Sequence, residues 1–222
     1  MDKPLTKENI QNHFHYGWWK YAVMAICVLV GLNLFFTTTR YRAPRHLRVD
    51  WYISSSGANQ EALLAYMEEA RLLIMPDMEE VNCVVMMTND GSDPYAGMQL
   101  STFLMAGEGT IYLLNANDFK AYASQGVMLA LDDYITAGDL NTGDLDLSGG
   151  IISRRESDDD PYVTALLGIP ADEMFGLWDF NVDNRGMVFC VASMSGNNEN
   201  AVKMLDYMVQ TLTKPMPVPD GN

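Results

Sequence analysis

Histidine occurs at His13, His15 and His46 and nowhere later in the 222 residues. From residue 47 onward, neither a Ser-His-Asp nor a Cys-His arrangement can be assembled, and a zinc site would have no imidazole ligand. The three cysteines, Cys27, Cys83 and Cys190, contain no CxxC pair, so a thiolate zinc site is excluded too. Carboxylates are plentiful. A pair such as Asp132/Asp133 has the right types for a general acid and base. Adjacent acids arise by chance in a chain with 29 Asp and Glu, however, and a solvated surface is the simpler account. Asp139-x-Asn141-x-Gly143-Asp144-x-Asp146 and Asp179-x-Asn181-x-Asp183 have the oxygen spacing of calcium loops. Both lack the glycine and the glutamate that an EF-hand requires, and turn formation explains the same residues. Asp158, Asp159 and Asp160 read as a solvated run. No metal and no cofactor is implied.

Two polar clusters are suited to hydrogen-bonding a ligand: Ser54, Ser55, Ser56 and Asn59, and then Asn115, Asn117 and Asp118. Trp178, with Phe175 beside it, offers an aromatic wall of the kind sugar and peptide sites use. The competing account gives the serines to a turn, Asn117 or Asp118 to a helix cap, and the aromatics to the core.

The elements that would position these groups follow from periodicity. Leu47 to Ile53 alternates as a strand does. Asn59 begins a helix in which Ala62, Leu63, Tyr66, Met67, Ala70, Leu73 and Ile74 recur at helical spacing until Pro76. Val81 to Met87 is a nearly continuous apolar run, as expected of a strand covered on both faces. A turn cluster spans 89–94. Tyr95 to Ala106 suits a helix, Thr110 to Leu114 a third strand, and a short helix follows to Gly126. The βαβ series predicts a mostly parallel, right-handed sheet. In such sheets ligands bind beyond the carboxyl ends of the strands, which is where both polar clusters fall. Residues 136–185 read as irregular, with a short strand near Thr164 to Ile169. Gly186 to Ser193 is a last core strand. Asn197 and Asn198 precede a helix with Ala201, Met204, Leu205, Met208 and Leu212 on its apolar face. Residues 214–222 form a tail.

Gly17 to Thr38 reads as a membrane span. Tyr21 to Phe36 holds no charge and a single amide, Asn33. Twenty-odd residues at about 1.5 Å each cover a hydrocarbon layer of about 30 Å. Trp18, Trp19 and Tyr21 form an aromatic belt, and Lys20 can snorkel beside them. No lipoprotein or A-x-A-like cleavage site follows, so an uncleaved signal anchor is expected. The organisation is a 1–16 tail, a 17–38 transmembrane helix, a 39–46 stalk, a 47–213 lobe and a 214–222 tail. Residues 1–48 hold seven Lys/Arg against Asp2 and Glu8, a net of +5; the rest holds seven basic against 27 acidic groups, a net of −20. So acidic a domain repels nucleic acid. Lys3, Lys7 and Lys20 before the span, against four arginines after it, place the domain inside by the positive-inside count.

Two stretches resemble the bacterial extracellular solute-binding proteins that serve ABC importers. Gly109 to Ile135, GTIYLLNANDFKAYASQGVMLALDDYI, is similar to a family segment that runs strand, loop, helix and then QG-x-L-x-x-L-D-D-Y. The matching residues are Gln125, Gly126, Leu129, Leu131, Asp132, Asp133 and Tyr134. Phe189 to Val209 resembles the strand, small-polar turn and helix by which that chain returns to its first lobe, and Gly168-Ile169-Pro170 a crossover strand. The departure is size: the family clamps its ligand between two lobes, and only about 50 residues separate the matched stretches here. The resemblance therefore implies one periplasmic-binding-protein-like lobe, α/β and three-layer, with a mostly parallel sheet of about five strands, preceded by one transmembrane helix. It also implies an extracytoplasmic domain, against the arginine count. In the family's strand order Cys83 lies at an edge and Cys190 about 14 Å away, too far for a disulfide, so two free thiols are expected. The function implied is a non-catalytic, membrane-anchored binding or interaction module. Its partners would be the bilayer through residues 17–38, a small extracellular solute and an envelope protein. A tethered carboxylate hydrolase and a remnant domain without ligand are the alternatives.

Overall fold

A computed structural model describes residues 7–39, 42–86, 94–155 and 161–216. The turn cluster over 89–94 lies largely outside the described residues, as do the acidic run Asp158–Asp160 and the end of the tail. The chain forms two compact units, Met1–Arg42 and Ala43–Asn222.

The first unit is one helix, α1 (Lys7–Thr39), which starts ten residues ahead of the expected span. Within it Gly17–Thr37 is long and apolar enough to cross a membrane. Apolar side chains from Trp18 to Phe36 are exposed on every side of the helix, the distribution of a segment that no single protein face could cover.

The second unit begins at Ala43. That alanine is buried, and its backbone N–H donates to Glu80 Oε2 at 2.9 Å. Arg45–Leu47 then makes a 3-10 turn, and Arg45 Nη2 donates to the Ala106 carbonyl at 3.2 Å. The last four residues read as stalk therefore belong to the fold, and with them the exposed His46.

The elements of this unit are β1 (Arg48–Ser54), α2 (Gln60–Ile74), β2 (Glu80–Met86), α3 (Pro94–Met105), β3 (Ile111–Asn115), α4 (Ala116–Ser124), α5 (Asp132–Ala137), β4 (Ile151–Arg154), β5 (Val163–Leu166), β6 (Ile169–Pro170), β7 (Met187–Val191) and α6 (Asn198–Leu212). Five strands form one sheet in the order β2-β1-β3-β7-β6. The β1–β2 and β1–β3 pairs are parallel, whereas β7 is antiparallel to both neighbours, so four strands share one direction.

Alternation assigns each strand residue a face. Val49, Trp51, Ile53, Ile111, Leu113, Phe189 and Val191 turn to one side, where α2 and α6 cover them with Leu63, Met67, Ala201, Met204, Leu205 and Met208. Tyr52, Tyr112, Leu114, Val188 and Cys190 turn to the other, under Leu100 and Leu104 of α3 and Phe119 and Ala123 of α4. Helices on both faces make three layers, and the run beginning at Val81, expected to be covered on both faces, forms the edge strand β2 as far as Met86, in which buried and half-buried residues are mixed. Cys83 lies on the edge strand β2 and Cys190 on β7, three strands along and in the opposite cluster; both are free thiols.

The stretch read as irregular, 136–185, contains more structure than expected. β4 and β5 pair as an antiparallel hairpin, Ile151 opposite Leu166 and Arg154 opposite Val163. β5 and the two-residue β6 divide what reads in sequence as one short strand.

Candidate functional site

Because β2 and β3 flank β1 on opposite sides, the connections after β1 and β3 diverge, and a crevice opens between their carboxyl ends. The segment 171–186 is bonded to both connections. The Phe180 carbonyl accepts from Asn59 N at 2.9 Å, and the Gly186 carbonyl accepts from Ala116 N at 2.9 Å. The loop after β1 and the start of α4 are thus both tied to this segment.

The segment folds around Asn184, which is wholly buried. Its Nδ2 donates to the Ala171 and Asp172 carbonyls, each at 2.8 Å, and its Oδ1 accepts from Trp178 Nε1 at 2.7 Å. Phe175–Phe180 winds as a 3-10 turn and ends at Asn181, in the left-handed region at φ 58°. Asparagine tolerates that conformation better than most residues. Close packing fixes the turn from behind, since a Cβ on Gly176 would lie 2.9 Å from the Leu212 backbone. Lys214 Nζ pairs with Asp179 Oδ2 at 2.9 Å.

On the outer side of this segment is a recess of about 590 Å³, within the range of small-molecule sites. Phe175 and Trp178 meet edge to face, with ring centroids 5.2 Å apart at 86°. With Val182 and Met216 they make its lining mainly apolar. The polar groups are Asp172, Asn181, Asp183 and Arg185. Arg185 forks onto Asp183: Nε donates to Oδ1 at 2.9 Å and Nη2 to Oδ2 at 2.5 Å. These charge-assisted bonds hold the Asp183 carboxyl down to about 2. Asp172 Oδ1 accepts from Gly186 N at 2.8 Å.

Of the residues singled out in the sequence, Trp178 lines this recess together with Phe175. Ser54 is buried at the end of β1, and Ser55 donates its backbone N–H to the Met86 carbonyl at 3.1 Å. Ser56 is exposed. Asn59 caps α2, its Oδ1 accepting from Ala62 N. Asn115 caps α4, accepting from Asn117 N and Asp118 N and donating to Asp118 Oδ2 at 2.6 Å. Asn117 is exposed and Asp118 half-buried. None of these seven lines the recess. Asp172, Asn181, Asp183 and Arg185 also line the recess, and in sequence each sits in a turn-rich stretch where such residues are common. Two aromatics inside that stretch were the available signal.

The calcium-like patterns resolve into local bonds. Asn141 Oδ1 accepts from Gly143 N, and Asp146 Oδ1 from Ser148 N. Asp179 and Asp183 are paired with Lys214 and Arg185. Among the described residues, no group of three or more His, Cys, Asp or Glu is placed to hold a metal ion. Asp132 Oδ2 accepts from Leu166 N at 2.9 Å, which ties α5 to the hairpin.

Fold and site define a three-layer α/β domain with an aromatic-walled recess beyond the carboxyl ends of its parallel strands, carrying an N-terminal apolar helix. No family model matches the chain, and no curated protein matches it. Among solved structures, an extracellular solute-binding protein family 1 structure from Alicyclobacillus acidocaldarius subsp. acidocaldarius DSM 446 is 18% identical with a TM-score of 0.39. That match covers 58% of this chain and 29% of that one, a remote likeness.

Proposed function

We propose that this protein is a membrane-anchored, non-catalytic binding module that presents its domain on the extracytoplasmic side and takes a small solute into the recess walled by Phe175 and Trp178. The recess carries the reading: a concave, mainly apolar site with a few polar groups is the form small-ligand sites take. The exposed apolar helix supports the anchor, and the resemblance of residues 109–135 to solute-binding proteins supports the outward orientation.

The hydrolase alternative needs one carboxyl that keeps its proton near neutral pH beside one that does not. Of the two recess carboxylates, Asp183 is held at about 2 by Arg185 and is ionised throughout the physiological range. His46, the sole histidine of the unit, stands on the 3-10 turn ahead of β1 and does not line the recess. With both oxygens of Asp183 engaged by Arg185, a binding role suits the recess better than proton transfer.

Orientation is tested with a reporter thiol. Cys83 and Cys190 are buried, so Ser56→Cys in a Cys27→Ser background supplies an exposed one. Labelling of intact bacterial cells by a membrane-impermeant maleimide is expected, and labelling only after permeabilisation overturns the outward placement. Binding is tested on the full chain in nanodiscs, by thermal shift and tryptophan fluorescence against a broad solute panel. Trp178→Ala should abolish any response seen. A panel in which no compound shifts either signal refutes the module.

A further inference from the structure

We propose that the recess selects a small organic cation with an apolar body; this rests on the binding-module reading above. The charges around the recess have fixed partners. Arg185 is held by both oxygens of Asp183, and Lys214 by Asp179. Each pair is close to neutral from a distance. That leaves Asp172, whose Oδ1 accepts a backbone N–H from Gly186 and whose carboxylate receives neither of these cations. The recess therefore carries an excess of one negative charge. The surrounding domain, at −20 beyond residue 48, deepens that potential and attracts cations over longer distances.

The apolar lining adds a second preference in the same direction. Phe175 and Trp178, at right angles, both line the recess, and an ammonium gains from an aromatic π face what a neutral group does not. A sugar needs several hydrogen-bonding side chains turned inward. Among the described residues, Asn181 is the only neutral one on the wall, because the Asn184 amide is occupied by Trp178, Ala171 and Asp172. An anion would have to draw Arg185 away from Asp183 against the remaining carboxylate. An alkyl- or arylammonium meets all three constraints.

The experiment compares three ligands of one shape, 3-phenylpropylammonium, 3-phenylpropanol and 3-phenylpropanoate. Each is titrated by calorimetry into the full chain in nanodiscs of zwitterionic lipid, so that lipid charge recruits none of them. The ammonium is expected to bind about tenfold tighter than the alcohol, the ratio for one partly exposed ion pair and one cation–π contact. The carboxylate should bind weakest. Asp172→Asn keeps an acceptor for Gly186 N and should bring the ammonium down to the alcohol's affinity, while Trp178→Phe weakens the ammonium more than the alcohol. Equal binding of alcohol and ammonium, or tighter binding of the carboxylate, overturns the cation preference and leaves the recess standing as a ligand site. If none of the three binds, the recess reading falls with it.

Discussion

Replacing Asn184 with alanine removes one acceptor and two donors at once from the segment that walls the recess. The Ala171 carbonyl keeps the Met174 N–H at 2.8 Å but loses its second donor, the half-buried Asp172 carbonyl loses its bond, and the Trp178 indole N–H loses its acceptor on a side chain that is 38% exposed. Each of the three lost bonds contributes about 0.5–1.5 kcal/mol. The expected destabilisation is thus about 3 kcal/mol, or about 6–12 °C in melting temperature for a domain of this size. Urea unfolding of the nanodisc-bound chain, followed by near-ultraviolet circular dichroism, measures it. Asn184→Asp is the sharper variant: it keeps an acceptor for the indole but sets a carboxylate against two carbonyl oxygens. It should be at least as damaging as alanine at pH 7 and recover towards pH 4, where the buried acid takes up a proton and regains a donor. Asn184→Ala costing under about 1 kcal/mol, or Asn184→Asp matching wild type at pH 7, would refute the claim that this amide holds the segment together.

Phe189 packs against Trp51 with ring centroids 5.7 Å apart and is wholly buried; Phe189→Ala should lower unfolding stability by about 3–5 kcal/mol in the same urea assay. Cys83 and Cys190, on opposite sheet faces, should resist thiol reagents at pH 8 until the domain unfolds, and mild oxidation should form no bridge between them; a mass 2 Da lower in the oxidised monomer refutes the strand order. Burial pushes the Cys83 thiol up to about 12 and raises Cys190, Tyr66 and Tyr112 as well. These acids hold protons in the folded state that the unfolded chain releases from about pH 8.5 for thiols and about 10 for phenols. Their contribution is full below those values and is lost as pH rises, so the melting temperature should fall steadily above about pH 9 and Cys83→Ala should flatten the early part of the fall; a constant melting temperature from pH 8 to 11 contradicts it. Asn115→Ala removes the α4 cap and should cost about 1 kcal/mol of stability without changing ligand affinity in calorimetry, whereas a loss of affinity at unchanged stability would return Asn115 to the binding site.

Much of the fold was written in local patterns. Trp51 and Ile53 alternate with Tyr52, and both sets are apolar, so β1 declares itself a strand with two covered faces. The apolar stripe from Ala201 to Leu212 likewise specifies α6 and its buried side. Other elements gave no such signal. β4 has four residues with a half-buried to exposed pattern, and β5 joins it across an acidic run. β6 has two residues. Such strands exist because a partner is already in place, and no periodicity can accumulate over so short a stretch. The start of the domain was missed for a related reason: Ala43 owes its burial to a distant acceptor, Glu80.

The site shows the same division more sharply. An asparagine after a strand can hydrogen-bond a ligand or cap the next helix, and the sequence is identical in both cases. Asn59 and Asn115 cap, because α2 and α4 begin immediately after them and their backbone N–H groups need acceptors. The rule that ligands collect beyond the carboxyl ends of parallel strands points to the loops after β1 and β3. It could not show that the segment 171–186 bonds to both of those loops, through the Phe180 and Gly186 carbonyls. The loops after β1 and β3 are thus tied to a connection that reads only as turns, and side chains of that connection line the recess proposed as the site. Asn184 illustrates the limit: among neighbours Asp183 and Arg185, which are exposed, it is wholly buried. Only the fold brings Trp178, Ala171 and Asp172 within 2.8 Å of its amide.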